Sequence, residues 1–138
     1  MFGAPSRYAA SGARYRDIDV AARVEGATPH GLIMIMFDEC LKALDTLQAI
    51  EGSSDVVRRN AAQARVVSML HGLESSLDFK RGGEIADNLG RIYREARRLV
   101  GPMPGMDRAT AIAQARDMVA TVCGAWEAIG PEVNSDLT

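Results

Sequence analysis

Cysteine and histidine are scarce in this chain of 138 residues: Cys40 and Cys123, His30 and His71. With no CxxC and no metal-ligand spacing, a disulfide framework and a zinc site are both excluded. The two thiols fall in apolar helical stripes and are expected to be buried and free, as in a reducing cytosol. Aromatic residues make up 5% of the chain against 7 methionines and abundant alanine, which favours helices over a sheet. The formal net charge is only -2, so no bulk charge of one sign draws the protein to nucleic acid or to an anionic membrane. No run approaches the roughly 18 apolar residues of a membrane span, and the N-terminus has no apolar stretch of signal length. A soluble cytoplasmic protein without membrane insertion is expected.

The chemical motifs are missing too. Di-iron bundles carry Glu-x-x-His pairs; here the nearest approach is a single reversed pair, His71 and Glu74. There is no Gly-x-Ser-x-Gly elbow, and neither cysteine has an evident base. Gly82-Gly83 before a helix reads as a tight connection rather than an anion cradle. Arg91, Arg94, Arg97 and Arg98 suit the end of a helix and a solvated face. His71 could be the reactive residue of a phosphotransfer bundle. However, it is followed by Gly72, Leu73 and Glu74, and an acid there repels an incoming phosphoryl group. No catalytic residue, metal or cofactor is expected.

What is present is helical periodicity, in a length that suits one domain. Residues 1–13 have no period and read as a mobile arm, and 131–138 as a frayed polar tail, leaving 14–130 as the domain. Tyr15 to Val24 forms a short amphipathic helix, too small to stand alone. Thr28 caps a first long helix from Pro29 to Glu51, with a seam through Ile33, Phe37, Cys40, Leu44 and Leu47. Gly52 reads as its C′ residue and Ser54 as the next N-cap. A second helix runs from Asp55 to Phe79 on Val66, Leu70, Leu73 and Leu77, broken by the residues 80–83. A third spans Glu84 to Val100 on Ile85, Leu89, Ile92, Ala96 and Leu99. After GPMPG, a fourth spans Asp107 to Ile129 on Ile112, Ala115, Val119, Val122, Trp126 and Ile129. Short links make neighbours antiparallel. The fold class is therefore all-α, an up-down four-helix bundle with the short N-terminal helix laid across it.

One turn does not fit a simple stripe. Leu32 to Phe37 are six consecutive apolar residues, which on a helix point all ways. Met34 lies about 100° and Ile35 about 200° from the seam, and Ile35 shares its face with Asp38, Lys42 and Thr46, which should be solvated. Either the short helix covers this second apolar surface or a partner's amphipathic segment docks there.

Residues 15–44 (YRDIDVAARVEGATPHGLIMIMFDECLKAL) resemble the start of the flagellar secretion chaperone family FliS. Thr28, Pro29, Leu32, Ile33, Met36, Phe37 and Asp38 match its Ser/Thr-Pro-x-x-Leu-Ile-x-x-Leu/Met-Phe/Tyr-Asp pattern. Leu77, Asp78, Gly82, Gly83, Glu84, Ile85, Ala86, Asn88, Leu89 and Tyr93 match its second block, and Trp126 its closing Ala-Trp. Ile92 stands where the family usually has Leu, and GPMPG replaces its usual turn. The resemblance implies a non-enzymatic chaperone that binds the disordered C-terminal segment of flagellin, stops early polymerisation and, when loaded, engages the export gate. Contacts are expected at Tyr15, Ile18, Leu32, Met34, Ile35, Met36, Asn88, Leu89 and Tyr93. A structural bundle that pairs with itself as a homodimer is the alternative class, and phosphotransfer at His71 a third.

Overall fold

The computed structural model describes residues 20–129. The expected arm, most of the short helix (Tyr15 and Ile18 included) and the tail at 131–138 lie outside these residues. Residues 20–25 are helical (α1). Four long helices follow: α2 Pro29–Ile50, α3 Val56–Ser75, α4 Phe79–Val100 and α5 Arg108–Ile129. Each packs on its neighbour in the chain, and α5 closes the ring on α2. The described residues form the expected all-α bundle.

Every long helix starts on a side-chain cap that satisfies one of its free backbone donors. Thr28 accepts from Gly31 N and precedes Pro29; Asp55, Asp78 and Asp107 accept from Arg58, Arg81 and Thr110 N, all at 3.0–3.1 Å. These caps correct two expected boundaries. Asp55, not Ser54, caps α3. The break after α3 comes at 76–78 rather than 80–83, because Asp78 starts α4 one turn before the glycine pair. Gly83 then adopts φ 53°, ψ -128° inside α4 and kinks it. Gly52 does not take the left-handed conformation expected of a C′ glycine; among described residues only Gly83 and Gly105 have positive φ.

The core follows the expected seams of α2, α3 and α5, except that Leu77 lies beyond the end of α3 and is only half-buried, and Ile129, at the last turn of α5, is exposed. Phe37, Leu44, Leu47, Val66, Leu70, Leu73, Ile112 and Val119 are fully buried. Phe37 lies between Tyr93 and Trp126, ring centroids 6.4 Å from each. Helix α4 is rotated from its expected phase. Its buried residues are Ala86, Gly90, Tyr93, Ala96, Leu99 and Val100, while Ile85 is 59% exposed. In its first half Ala86, Gly90 and Tyr93 face inward, while Ile85 is turned outward and Leu89 and Ile92 are only half-buried. Of the thiols, Cys40 is buried and Cys123 only half-buried, a correction for the second.

Candidate partner-binding surfaces

The residues expected to bind a partner do not share one face. Leu32 is exposed on the first turn of α2. Met34 and Met36 are half-buried and pack on the core, and the Met36 methyl abuts Gly72 of α3, 3.2 Å from where a Cβ there would stand. Ile35 corrects an expectation: it is 8% exposed rather than set on a solvated face. It stands apart from the main core cluster. One turn on, Asp38 Oδ2 accepts from Arg23 Nη2 of α1 at 3.4 Å, which sets α1 beside the face that Ile35 and Asp38 share. Of the all-round apolar turn, only Leu32 is left exposed.

On α4, Asn88 is exposed and accepts from Arg91 Nη1 at 3.3 Å. Leu89 is half-buried against the core. Tyr93 is inside it, and burial pushes its hydroxyl above the ordinary tyrosine range. The arginines of this helix are not simply solvated. Arg94 and Arg97 both bond Glu74 across on α3, and Arg98 pairs with Glu95.

The sequence reading missed the surface that α4 and α5 make together. Ile85, Leu89 and Ile92 repeat at i, i+4 and i+7, so they form one row, exposed at Ile85 and half-buried at the edge of the core at Leu89 and Ile92. Ile92 lines an open groove of about 320 Å³ with Met118 and Val122 of α5, and Gln114, Asp117 and Thr121 supply polar groups. The signal was present as two adjacent apolar rows on α4; choosing the larger residues for the core hid the groove. Polar chemistry is thin by comparison. Among the described residues, no group of three or more His, Cys, Asp or Glu could hold a metal ion. His71 is exposed. His30 stacks on Trp126 at 5.6 Å, with Nε2 3.0 Å from the Trp126 carbonyl, while Trp126 Nε1 donates to the His30 carbonyl at 3.3 Å. That histidine fastens the start of α2 to the end of α5.

The described residues define an all-α helical bundle with an open groove between its last two helices. The family model described as "Flagellar protein FliS" matches residues 11–133. The chain is 31% identical over 129 residues to the "Flagellar secretion chaperone FliS" of Salmonella typhimurium, spanning 92% of this chain and 96% of that one. It is 29% identical over 80 residues to the "Flagellar secretion chaperone FliSB" of Pseudomonas aeruginosa, spanning 58% and 64% of the two chains. The chain belongs to the FliS family of flagellar secretion chaperones.

Proposed function

We propose that this protein is a cytosolic export chaperone for flagellin. It holds the disordered C-terminal segment, keeps it from polymerising and, once loaded, presents it to the gate of the flagellar export apparatus. The observation that carries this reading is the partly exposed row Ile85–Leu89–Ile92 beside the α4–α5 groove, in a member of this family. Ordering a disordered segment costs about 2–5 kcal/mol. At about 25 cal/mol per Å² of apolar burial, on the order of 80–200 Å² must be buried before any net affinity appears. One open groove with a continuous apolar row suits an amphipathic helix that buries such an area. Leu32, Asn88 and Leu89 are the accessible contacts. Tyr93 would act from beneath, by holding α4 in place. Tyr15, Ile18 and the Ile35 face would contribute if α1 lifts on loading.

The test is co-elution of the purified protein with intact flagellin and with flagellin lacking its C-terminal segment. Binding of the intact chain alone is expected. Equal behaviour toward both overturns the reading, and a dimer that ignores both would favour the self-associating bundle.

A further inference from the structure

The groove between α4 and α5 has an apolar floor, Ile92, Met118 and Val122, and two rims of different charge. On α5 the rim is Gln114, Asp117 and Thr121, which stand at i, i+3 and i+7 and so form one row. Asp117 is the ionisable residue of the lining. Its carboxylate forms no hydrogen bond or ion pair among the described residues. The Thr121 hydroxyl donates to the backbone carbonyl of Asp117 at 2.8 Å. Arg116, next in the chain, is held by Asp45 of α2 at 2.7 Å and senses Asp117 only as a minor charge. On α4 the row on the solvent side of Ile92 is Asn88, Arg91 and Glu95, with the same spacing. There Glu95 is taken by Arg98. Arg91 donates to the Asn88 amide oxygen at 3.3 Å and meets no carboxylate among the described residues. One rim thus carries an uncommitted acid and the other an uncommitted base, and the two do not pair with each other.

Both charges are exposed, and both are hydrated while the groove is empty. A helix laid on the apolar floor brings one of its flanks against each rim and displaces part of that water. Asp117 then gains from a cation and loses from an acidic or apolar neighbour, and Arg91 the reverse, so the rims sort segments more than they add affinity. We propose that the groove takes an amphipathic helix with a lysine or arginine on the flank that meets Asp117 and an aspartate or glutamate on the flank that meets Arg91. The same arrangement fixes the direction of the helix. Turning a helix end for end on its apolar stripe exchanges its two flanks, so one direction sets base on Asp117 and acid on Arg91. The other sets like charges together on both rims. The inference rests on the flagellin-binding reading above.

The experiment is calorimetric titration of the full chain with a synthetic peptide of the flagellin C-terminal segment. The peptide's Lys and Arg residues are changed one at a time to Glu, against wild type and Asp117→Lys. Glu127→Lys is the control of equal charge change, about 15 Å further along α5 and outside the groove lining. One peptide change is expected to weaken wild-type binding about tenfold, and Asp117→Lys to restore it to within about threefold while Glu127→Lys does not, the mark of a coupled pair. Changing the peptide's Asp and Glu residues to Lys, against Arg91→Glu, is expected to give a second coupled pair on the opposite flank of the peptide's apolar stripe. Positions 91, 117 and 127 are exposed, so the variants are expected to melt as wild type does. If wild type binds the peptide and either swap finds no rescue, or both coupled residues fall on one flank, the charged rims are overturned and the flagellin reading stands. If wild type does not bind the unmodified peptide, both are overturned.

Discussion

Two glycines of α4 separate backbone need from side-chain space. Gly83 holds φ 53°, ψ -128°, outside the regions open to other L-residues. Nothing lies within 4 Å of where its Cβ would stand, so any cost of Gly83→Ala is conformational. That cost should be about 1–3 kcal/mol, read as a fall in melting temperature. Gly90 is helical and buried under Phe79. An added Cβ would meet the movable tip of Arg94 at 3.1 Å and the Phe79 ring at an ordinary 3.4 Å. Alanine also gains about 1 kcal/mol of helix propensity over glycine, so Gly90→Ala should stay within about 1 kcal/mol of wild type. Equal melting of the two variants would mean that the kink at Gly83 is not held in solution. The kink has a packing use as well. Phe79 and Gly90 would be about 16 Å apart along a straight helix, yet the folded-back first turn sets the ring on the glycine. At the same scale, burial pushes the Cys40 thiol up to about 12, which leaves it a packing residue without thiolate reactivity.

Helix α4 is also where sequence and structure part. Helices α2 and α5 were legible because each carries one clean seam and a marked start, Thr28-Pro29 or Asp107 after GPMPG. Helix α4 carries two rows. Ranking residues by apolar size selects Ile85–Leu89–Ile92, but close packing against its neighbours selects Ala86–Gly90–Tyr93. Periodicity alone cannot choose between them. The same limit hid the burial of Ile35, which lies off the seam of its own helix. The join between α3 and α4 carries a pH prediction. Burial alone would raise Glu74, but Arg97 and Arg94 together outweigh it and hold the carboxyl below its ordinary range. A depressed carboxylate stabilises the fold fully above its unfolded value of about 4.3 and loses that contribution as pH falls through the folded value. Arg94 is half-exposed, so solvent discounts its share and about 1 kcal/mol is expected for the pair of contacts. Glu74→Gln should therefore melt lower than wild type from pH 5 to 8, by about 3 °C, with the gap closing as the pH is taken down toward 3. A gap that persists unchanged at low pH would assign the loss to packing instead.

The described bundle is fastened at both ends and carries a groove along its α4–α5 side. At one end His30 and Trp126 join α2 to α5. At the other, Arg108 donates to the carbonyls of Val100 and Gly101 at 2.7 Å and reaches Glu51 and Gln63, joining the end of α2, the end of α4 and the start of α5 to α3 with one guanidinium. Between these fastenings the α4–α5 side carries the exposed Ile85 and the partly buried Leu89, Ile92 and Met118, which pack on the core. The exposure of Ile85 makes stability and binding separable by mutation there. Ile85 is largely exposed at the start of α4, so Ile85→Gln should shift unfolding by no more than about 0.5 kcal/mol. In a complex the isoleucine would be covered by the partner helix, and losing that burial should cost about 1.5–3 kcal/mol, or about 10- to 100-fold in affinity. Val57 is the control: 78% exposed at the start of α3, it sits at the opposite end of the bundle from the start of α4, since consecutive helices run antiparallel. Val57→Gln should leave both melting and binding unchanged. Melting curves and titrations with the flagellin C-terminal peptide on the same three samples check all of this. If Ile85→Gln binds as tightly as wild type, the partner does not lie on the Ile85 row of α4. If both variants lose affinity alike, binding depends on exposed apolar area anywhere on the bundle rather than on this groove.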